Sequence, residues 1–426
     1  MGNRIELNKI FVQNNTVQYT YHVEGDWKKY FYPEKKLKIS YSVDISAASE
    51  SVLAIPFLCN ILPIAWLCDA EICIDVIDKY FYEHIEQIKD GYRTMYPMFS
   101  FKGKIQAETE KNAPLVKEKK SACFFSGGVD AYTTLFRHME EQPVLITIWG
   151  ADIKLTDEKG WHKVKTHVES VAKEYGLDSV FIKSSFRQMV NESELDRLVK
   201  KSGDGWWHGF QCGISIIGHA APVAHRYGLK YVYIASSFPE KMKGQYTCAS
   251  DPLIDNHVHY CGCDTVHDGY ELDRQEKARY LISQKTAFKR KYDLRVCWES
   301  SGGGNCCRCE KCYRTILEIV SEGGNPNECG FQWGDKEMKR CKKDMENKIV
   351  QSQFNLDQFY PPIQDALKRN KDRIDGYEKY GWLLQMDFNK FNDAPMKKLR
   401  QNFFVRKFFG LLRRISAFSR GGDFKF

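Results

Sequence analysis

The sequence lacks three features that mark large classes of protein. Its first residues, MGNRIELNKIFVQ, contain no apolar stretch of the kind found in a secretory signal. The longest apolar run, Val52–Cys68, has 17 residues and is interrupted by Pro56, Asn60 and Pro63, so it is too short and too broken for a membrane span. Internal repeats and low-complexity segments are also absent. We therefore expect a cytoplasmic protein in which the apolar run is buried core.

Most of the chain carries no net charge. The 426 residues carry 63 Lys and Arg against 55 Asp and Glu, a formal net charge of +8. Residues 397–426 hold nine of these cations and one anion, so residues 1–396 are neutral. A neutral body argues against a large nucleic-acid footprint, because phosphate contacts need Lys and Arg.

The basic tail, residues 397–426, combines its cations with apolar residues at helical spacing. The apolar positions are Phe404, Phe408, Leu411, Leu412, Ile415 and Phe418. A basic amphipathic helix of this kind can lie on an anionic membrane surface. Alternatively, its apolar face packs against the body or a second copy of the chain. Both readings stay open at this stage.

Composition and patterning indicate a globular α/β protein with several folding units. Hydrophobic residues make up 43% of the chain and aromatic residues 14%, which excludes disorder of the whole chain. We predict an N-terminal α+β module at residues 1–115, a catalytic domain at 121–322 and a helical C-terminal region at 323–426. In the N-terminal module, Phe11–Val23 and Leu37–Val43 alternate as strands do, and Ile74–Tyr92 has a helical pattern.

From Ser121 onward, apolar strand-like segments alternate with helix-like segments. This order predicts a doubly wound parallel sheet with helices on both faces, and ligands at the carboxyl ends of its strands. The strand-like segments are Ala122–Phe125, Val144–Trp149, Val180–Lys183 and Tyr231–Ala235, and the helix-like ones are Ala131–His138, His162–Tyr175, Glu192–Lys201 and Phe210–Tyr227.

A glycine loop, Ser126-Gly127-Gly128-Val129-Asp130, follows the first of these strands and opens a helix. Two glycines let the backbone approach a ligand closely, and the helix N-terminus adds positive potential, so the loop is suited to an anion. Asp130 could hold a magnesium ion or a water. An ordinary strand-to-helix turn is the alternative, but the position after a strand and the Asp at the fourth place after Ser126 favour the anion site.

A cysteine cluster lies in the segment RVCWESSGGGNCCRCEKCYRT, with the spacing Cys297-x8-Cys306-x2-Cys309-x2-Cys312. Four thiolates on a glycine-rich loop are suited to a tetrahedral structural Zn²⁺, which would order a loop that has few apolar residues of its own. Cys307 is a fifth cysteine that could replace Cys306. A redox-active CxxC or buried free cysteines are the alternatives.

The glycine loop resembles a known family. FFSGGVDA is similar to the SGG-x-D-S loop of the N-type ATP pyrophosphatases, the PP-loop superfamily, which bind the pyrophosphate of ATP and transfer AMP to a substrate oxygen. The chain differs at Ala131, where the family usually has serine. The resemblance implies an adenine nucleotide alpha hydrolase-like (HUP) fold, with ATP and Mg²⁺ as cofactors. The ATP-binding residues that it implies are Ser126, Gly127, Gly128, Val129, Asp130 and Ala131, with Ile148, Trp149 and Gly150 at the adenine.

The cysteine spacing and its place in the chain are similar to the zinc loop of the 7-cyano-7-deazaguanine synthases, which belong to the same superfamily. This resemblance covers about residues 121–319 and implies a zinc loop near the active site. A Lys-x-Glu helix precedes the zinc loop in that family, and here Glu271, Arg274 and Lys277 lie three apart, either at the site or on an exposed salt-bridged face. The residues expected at the substrate pocket are Trp207, His208, Ser236, Ser237, Asp251, Asp255, His267 and Asp268.

The resemblance implies an enzyme that adenylates a carboxyl or amide oxygen of a small molecule and releases pyrophosphate. A nitrogen, oxygen or sulfur nucleophile would then displace AMP. The expected catalytic residues are Ser126, Asp130, Arg274 and Lys277, the last two as cations for the departing pyrophosphate.

Three other functions stay open. The first is a catalytically silent PP-loop scaffold on a membrane or RNA, which Ala131 favours. The second is a thiolation enzyme that uses Cys248, Cys261, Cys263 or Cys307 as sulfur carrier. The third is a carboxylate-activating enzyme of the muramoyl-dipeptide glutamate epimerase type, suggested because HDGYELDRQEKA, LRVCWE and NCCRCEKCYRT resemble blocks of further PP-loop proteins.

Overall fold

The computed structural model describes residues 2–32, 34–113, 121–297, 304–346 and 353–388. In these residues ten strands form one sheet in the order β10-β9-β6-β7-β8-β3-β2-β1-β4-β5. The strands are β1 Arg4–Gln13, β2 Thr16–Glu24, β3 Lys38–Tyr41, β4 Glu71–Asp78, β5 Lys104–Glu110, β6 Ser121–Phe124, β7 Val144–Trp149, β8 Ser179–Ser184, β9 Tyr231–Ala235 and β10 Asp264–Asp268.

The sheet is mostly parallel, as the strand and helix alternation predicts. All pairs from β10 to β8 are parallel, the pairs β8–β3, β3–β2 and β2–β1 are antiparallel, and β1–β4 and β4–β5 are again parallel. The five strands β6 to β10 have the spatial order 3-2-1-4-5 when they are numbered along the chain, which is the order of a doubly wound sheet. Its switch point lies where β6 is flanked by β7 and β9.

Helices connect these strands and form the region after the sheet. The helices are α1 Glu50–Leu53, α2 Ile55–Leu67, α3 Lys79–Met95, α4 Val129–Arg137, α5 Glu158–Tyr175, α6 Glu192–Leu198, α7 Cys212–Gly218, α8 Ala221–Tyr227, α9 Pro252–Asp255, α10 Arg274–Phe288, α11 Glu310–Ser321, α12 Asp335–Glu346, α13 Gln353–Arg369 and α14 Gly381–Gln385. None of the helices in the described residues has the length and apolarity that a bilayer crossing requires.

The first two strands correct the expectation of one strand-like segment over Phe11–Val23. Asn14 and Asn15 both have positive φ, 47° and 57°, and they join β1 to β2 as a two-residue hairpin with Gln13 opposite Thr16. Asparagine tolerates this conformation better than most residues, which is why Asn-Asn can form the turn.

Residues before 115 provide five of the ten strands of the sheet, β1 to β5. The predicted boundaries near 115 and 322 stay a prediction.

The apolar run Val52–Cys68 is confirmed as buried core, since it forms the end of α1 and the whole of α2. The helix predicted over Ile74–Tyr92 begins too early, because the chain stays in β4 until Asp78. The Asp78 carboxylate caps α3 by accepting the backbone N–H of Phe81 at 2.9 Å. Pairing of β4 with β1 and β5 overrides the local helical pattern there.

The chain divides into two compact units. Unit 1 comprises Met1–Ser126, Thr133–Trp161 and Lys165–Leu272, and it contains the whole sheet and the core around α2. In the described residues, unit 2 holds Gly127–Tyr132, His162–Val164 and the chain from Asp273 onward. Its core includes the buried side chains Leu281, Ile316, Tyr360 and Ile363 of α10, α11 and α13.

Candidate functional site

The glycine loop leads from a buried strand directly into a helix. β6 ends at Phe124, and α4 begins at Val129. Gly127 has φ +78°, a conformation that glycine adopts without steric cost, and its carbonyl accepts the backbone N–H of Arg295 at 2.7 Å. The first N–H groups of a helix have no partner within the helix, so a loop of this form can bind an anion.

Two cations of α10 converge on Asp130, in the first turn of α4. Arg274 Nη1 donates to Asp130 Oδ2 at 2.9 Å, and Lys277 Nζ donates to Asp130 Oδ1 at 3.2 Å. The side chains of Arg274 and Lys277 are only 10% and 3% exposed. Burial opposes the charge on Asp130, but Lys277, Arg274 and Lys311 outweigh it and lower the pKa of Asp130 to about 2. The structure therefore brings together three of the four predicted catalytic residues.

Arg274 is fixed by further partners that the sequence did not reveal. Its Nε donates to Glu318 Oε2 at 3.1 Å, and its Nη2 donates to Thr315 Oγ1 at 3.1 Å. Both partners lie on α11 and are buried. Burial raises the pKa of Glu318, and Arg274 opposes this effect. The sequence signal for Glu318 is the charged series Glu310, Arg314 and Glu318, which are four residues apart on α11, and Thr315 has no such signal.

The alternative of an exposed salt-bridged helix face is wrong for Lys277, which is 2% exposed. Glu271 also does not share the helix, because α10 begins at Arg274. Asp273 and Glu276 form a capping box at that position, each side chain accepting the backbone N–H of the other residue. Glu271 instead pairs with Arg137 at 2.7 Å.

The four predicted cysteine ligands lie together in unit 2. The Sγ atoms of Cys297, Cys306, Cys309 and Cys312 all lie within 4.8 Å of one another, and this is the only such group of His, Cys, Asp or Glu ligands in the described ranges. The Cys297–Cys309 and Cys306–Cys312 sulfur distances are 3.7 and 4.0 Å. A tetrahedral ion with Zn–S bonds of about 2.3 Å separates its sulfurs by about 3.8 Å. The donor set and its spacing therefore fit a zinc-like metal ion.

The cluster lies at the start of α11, and its hydrogen bonds favour a thiolate at Cys297. Cys309 is the N-cap residue of α11, and Cys312 lies in its first turn, where the helix dipole favours negative charge. Hydrogen bonds from Cys306, Cys309 and Cys312 hold the pKa of Cys297 well below its usual range. The deprotonated sulfur is the form that binds a metal.

Asn305 selects Cys306 rather than Cys307 as the fourth member. Its Oδ1 accepts the backbone N–H of Val296 at 3.0 Å, and its Nδ2 donates to the Leu294 carbonyl at 2.7 Å. These bonds place Cys306 beside Cys297. Cys307 has φ +52° and its sulfur accepts the backbone N–H of Gln332 at 3.2 Å instead.

Two predicted pocket residues, Asp255 and His267, form a buried pair in unit 1. His267 Nδ1 lies 2.8 Å from Asp255 Oδ2, which also accepts the Ser250 hydroxyl at 2.7 Å. Burial raises the pKa of Asp255, while His267 and Ser250 oppose this effect.

Asp268 belongs to a different network at the end of β10. Its carboxylate accepts from Thr134 Oγ1 at 2.8 Å and from Arg137 Nε at 3.2 Å, and it lies 2.9 Å from His138 Nε2. Burial opposes the charge, but these partners lower the pKa of Asp268. These contacts make Asp268 a link between β10 and α4.

The other predicted pocket residues are placed separately in unit 1. The Arg187 guanidinium carbon lies 4.2 Å from the ring centre of Trp207. Asp251 caps α9, the buried Ser236 hydroxyl donates to the Phe238 carbonyl at 2.6 Å, and Ser237 is exposed. Their role in substrate binding stays a prediction.

The residues expected at the adenine, Ile148, Trp149 and Gly150, lie at the carboxyl end of β7. The Trp149 indole stacks on Trp161 with ring centres 5.3 Å apart, and its Nε1 donates to the Lys154 carbonyl at 2.9 Å. Trp149 is therefore already packed, and its contact with a nucleotide stays a prediction.

The basic tail and its predicted amphipathic helix lie outside the described residues.

Comparisons with protein-family models, with curated proteins and with solved structures gave no match.

Proposed function

We propose that the chain is an ATP-dependent enzyme that forms AMP and pyrophosphate, of the PP-loop type. The observation that carries the proposal is the convergence of Arg274 and Lys277 on the first turn of α4, directly after Gly127 and Gly128. A helix N-terminus with two adjacent, preorganised cations is suited to a pyrophosphate group. The doubly wound strand order further supports a HUP-type fold, because β6 lies at the switch point where such sheets bind ligands.

In this proposal Asp130 is a positioning residue, and Arg274 and Lys277 act on the substrate. The Asp130 carboxylate holds both cations at fixed positions before any ligand arrives. Preorganised cations stabilise charge as it develops on the leaving pyrophosphate without a cost of reorganisation. Lys277 is a point charge, whereas the remaining N–H groups of Arg274 can donate to two phosphate oxygens.

The expected Mg²⁺ is not assigned to Asp130. Each of its two oxygens accepts a hydrogen bond from a cation, so the carboxylate does not present the oxygen-rich, cation-free site that Mg²⁺ prefers. We therefore derive no step from a metal ion at this residue.

Zn²⁺ fits the cysteine cluster, where it would supply four Zn–S bonds and no reaction chemistry. Cys297, Cys306, Cys309 and Cys312 use all four tetrahedral positions, which is typical of a structural site. The cluster connects the segment 294–297 to the start of α11. This segment bonds to Gly127 through Arg295, and α11 carries the partners of Arg274. Metal binding would therefore stabilise the surroundings of the two cations.

The test is product identification from α-labelled ATP, with the purified chain and a small-molecule extract. We expect extract-dependent AMP, and we expect Lys277→Met to reduce its formation at least about hundredfold, because a cation at the leaving group is worth several kcal/mol. Lys368→Met is the matched control, since Lys368 is 61% exposed and pairs with Asp365 on its own helix, α13.

Formation of ADP instead of AMP would contradict the proposal. Binding of ATP without turnover in any extract would favour the silent scaffold. Equal loss of activity in Lys277→Met and Lys368→Met would contradict the role of the two cations.

A further inference from the structure

Two cysteines and a histidine of unit 1 form a second group of neighbouring polar side chains. Cys248 Sγ lies 3.9 Å from Cys212 Sγ and 3.9 Å from His208 Nδ1. The three residues come from two segments. His208 lies in a π-helical turn, Trp207–Gln211, Cys212 begins α7 directly after it, and Cys248 lies in the loop before α9.

Backbone contacts hold the two segments together. The backbone N–H of Ala249 donates to the His208 carbonyl at 2.8 Å. A Cβ at position 213 would lie 2.2 Å from the Ala249 carbonyl oxygen and 2.7 Å from Ser250 Cα, so only glycine allows this approach. The closeness of Cys248 to Cys212 is therefore fixed by the backbone and does not depend on side-chain rotamers alone.

The surroundings shift the pKa values of the two thiols in opposite directions. The contact with Cys212 and the neighbouring His208 lower the pKa of Cys248, although burial opposes the effect. The pKa of Cys212 is raised well above its usual value, first by Cys248 and then by burial. The pKa of His208 is raised, chiefly by Cys248. This pattern favours a Cys248 thiolate beside a protonated imidazole.

The group reaches the surface through two of its three side chains. His208 is exposed and Cys212 is partly exposed, while Cys248 is 8% exposed. A π-helical turn is rare and frequently occurs at functional sites. Among the described residues, His208, Cys212 and Cys248 are not part of a candidate metal-binding group. Two neighbouring thiols can instead be oxidised to a disulfide.

We propose that Cys248 and Cys212 form a redox-active dithiol that reduces a hydroperoxide, with His208 as the adjacent acid. The Cys248 sulfur attacks the nearer peroxide oxygen, the O–O bond breaks, and the leaving oxygen takes the proton of the His208 imidazole. Cys248 is then a sulfenic acid. Cys212 loses its proton and attacks the Cys248 sulfur, the S–O bond breaks, and water leaves with that proton. The two thiols supply the two electrons that reduce the peroxide, and two equivalents of an external thiol then reduce the disulfide back to the two thiols.

The first experiment uses the metal-loaded wild-type chain and equimolar hydrogen peroxide. After remaining thiols are blocked, peptide mapping by mass spectrometry should identify one main new crosslink, between Cys212 and Cys248. A disulfide that forms elsewhere, or rapid alkylation of Cys248 without a disulfide on peroxide treatment, would overturn the proposal. This measurement needs no variant, so it does not depend on the folding of a mutant.

Variants then test the separate roles. In Cys212→Ser we expect the Cys248 sulfenic acid to accumulate and to be trapped by dimedone. In His208→Gln we expect peroxide consumption to slow about tenfold at pH 7, since the thiolate loses its charged neighbour. Cys68→Ser is the matched control, because Cys68 is also partly exposed but burial raises its pKa to about 12. Peroxide consumption that is equal in Cys248→Ser and Cys68→Ser would also overturn the proposal.

Discussion

Replacement of Asp130 by asparagine tests whether this carboxylate holds the two cations of the proposed ATP site. The substitution removes the negative charge of the side chain and keeps its shape. The amide can still accept from one of the two cations, but Arg274 and Lys277 lose the negative charge that balances them. Asp130 has its pKa lowered from 3.8 to about 2 in the folded chain, and one pKa unit corresponds to about 1.4 kcal/mol. The ionised carboxylate therefore stabilises the fold by about 2 kcal/mol. Breaking a buried ion pair to each of the two cations adds to this loss, which can reach about 3–5 kcal/mol.

The pH dependence of this difference has a definite sign. A carboxyl group with a lowered pKa contributes stability above its ordinary pKa, and this contribution is lost as the pH falls through the folded value. The free energy of unfolding of the wild type should therefore exceed that of Asp130→Asn by a constant amount at pH 5–8. The difference should shrink below about pH 4 and approach zero near pH 2.

The assay is urea unfolding of both proteins, with hydrogen exchange of α10 and of the first turn of α4 as the local readout. Asp365→Asn is the matched control, since Asp365 is 73% exposed and pairs with Lys368 at 3.6 Å. We expect this control to change the free energy of unfolding by less than about 0.5 kcal/mol. If Asp130→Asn is as stable as Asp365→Asn at pH 7, the carboxylate does not hold the two cations and the reasoning fails.

Three further perturbations test the metal cluster, the sheet edge and the loop. Cys312→Ser should lose the one bound zinc per chain and have a lower unfolding temperature, whereas Cys307→Ser should keep the metal. Elemental analysis measures the zinc content of both variants. Loss of zinc only from Cys307→Ser would contradict the ligand set. Asp268→Asn should destabilise the chain by about 3 kcal/mol in urea unfolding, because it removes the negative charge and one of the two acceptor oxygens from the network at β10. Burial lowers the pKa of His138, but Asp268 and Glu141 raise it more. The pairing of protonated His138 with Asp268 therefore stabilises the wild type at low pH, and this contribution is lost as the pH rises through the pKa of His138 in the folded chain. The part of the destabilisation in Asp268→Asn that comes from His138 should decrease over the same pH range. Gly127→Ala should lower the free energy of unfolding by about 1 kcal/mol, because Gly127 has φ +78°, and it should weaken ATP binding in calorimetry. An unchanged free energy of unfolding together with unchanged ATP affinity would argue against the loop geometry.

Local sequence patterns predicted much of the fold. They failed at positions where strand pairing or a break between helices overrides the local preference. The strands β6, β7, β8 and β9 follow from short apolar runs between amphipathic segments, and the structure has each of them. The prediction of one long helix over Phe210–Tyr227 is wrong, because a π-helical turn precedes α7 and a break separates α7 from α8. Pro222 explains that break, since it cannot donate a backbone hydrogen bond within a longer helix.

By itself the sequence determined the features that depend on spacing along the chain. The glycine loop before a helix, the four-cysteine spacing and the buried run Val52–Cys68 are local patterns, and local backbone preference and side-chain chemistry are enough to indicate them. Only the tertiary structure decided which distant groups meet. Asp130 contacts Arg274 144 positions later, and Cys212 lies beside Cys248 36 positions later. The choice between Cys306 and Cys307 also depended on folding, through hydrogen bonds between the Asn305 side chain and the backbone of Leu294 and Val296. Such contacts arise from the packing of separate elements, and no periodicity within one segment encodes them.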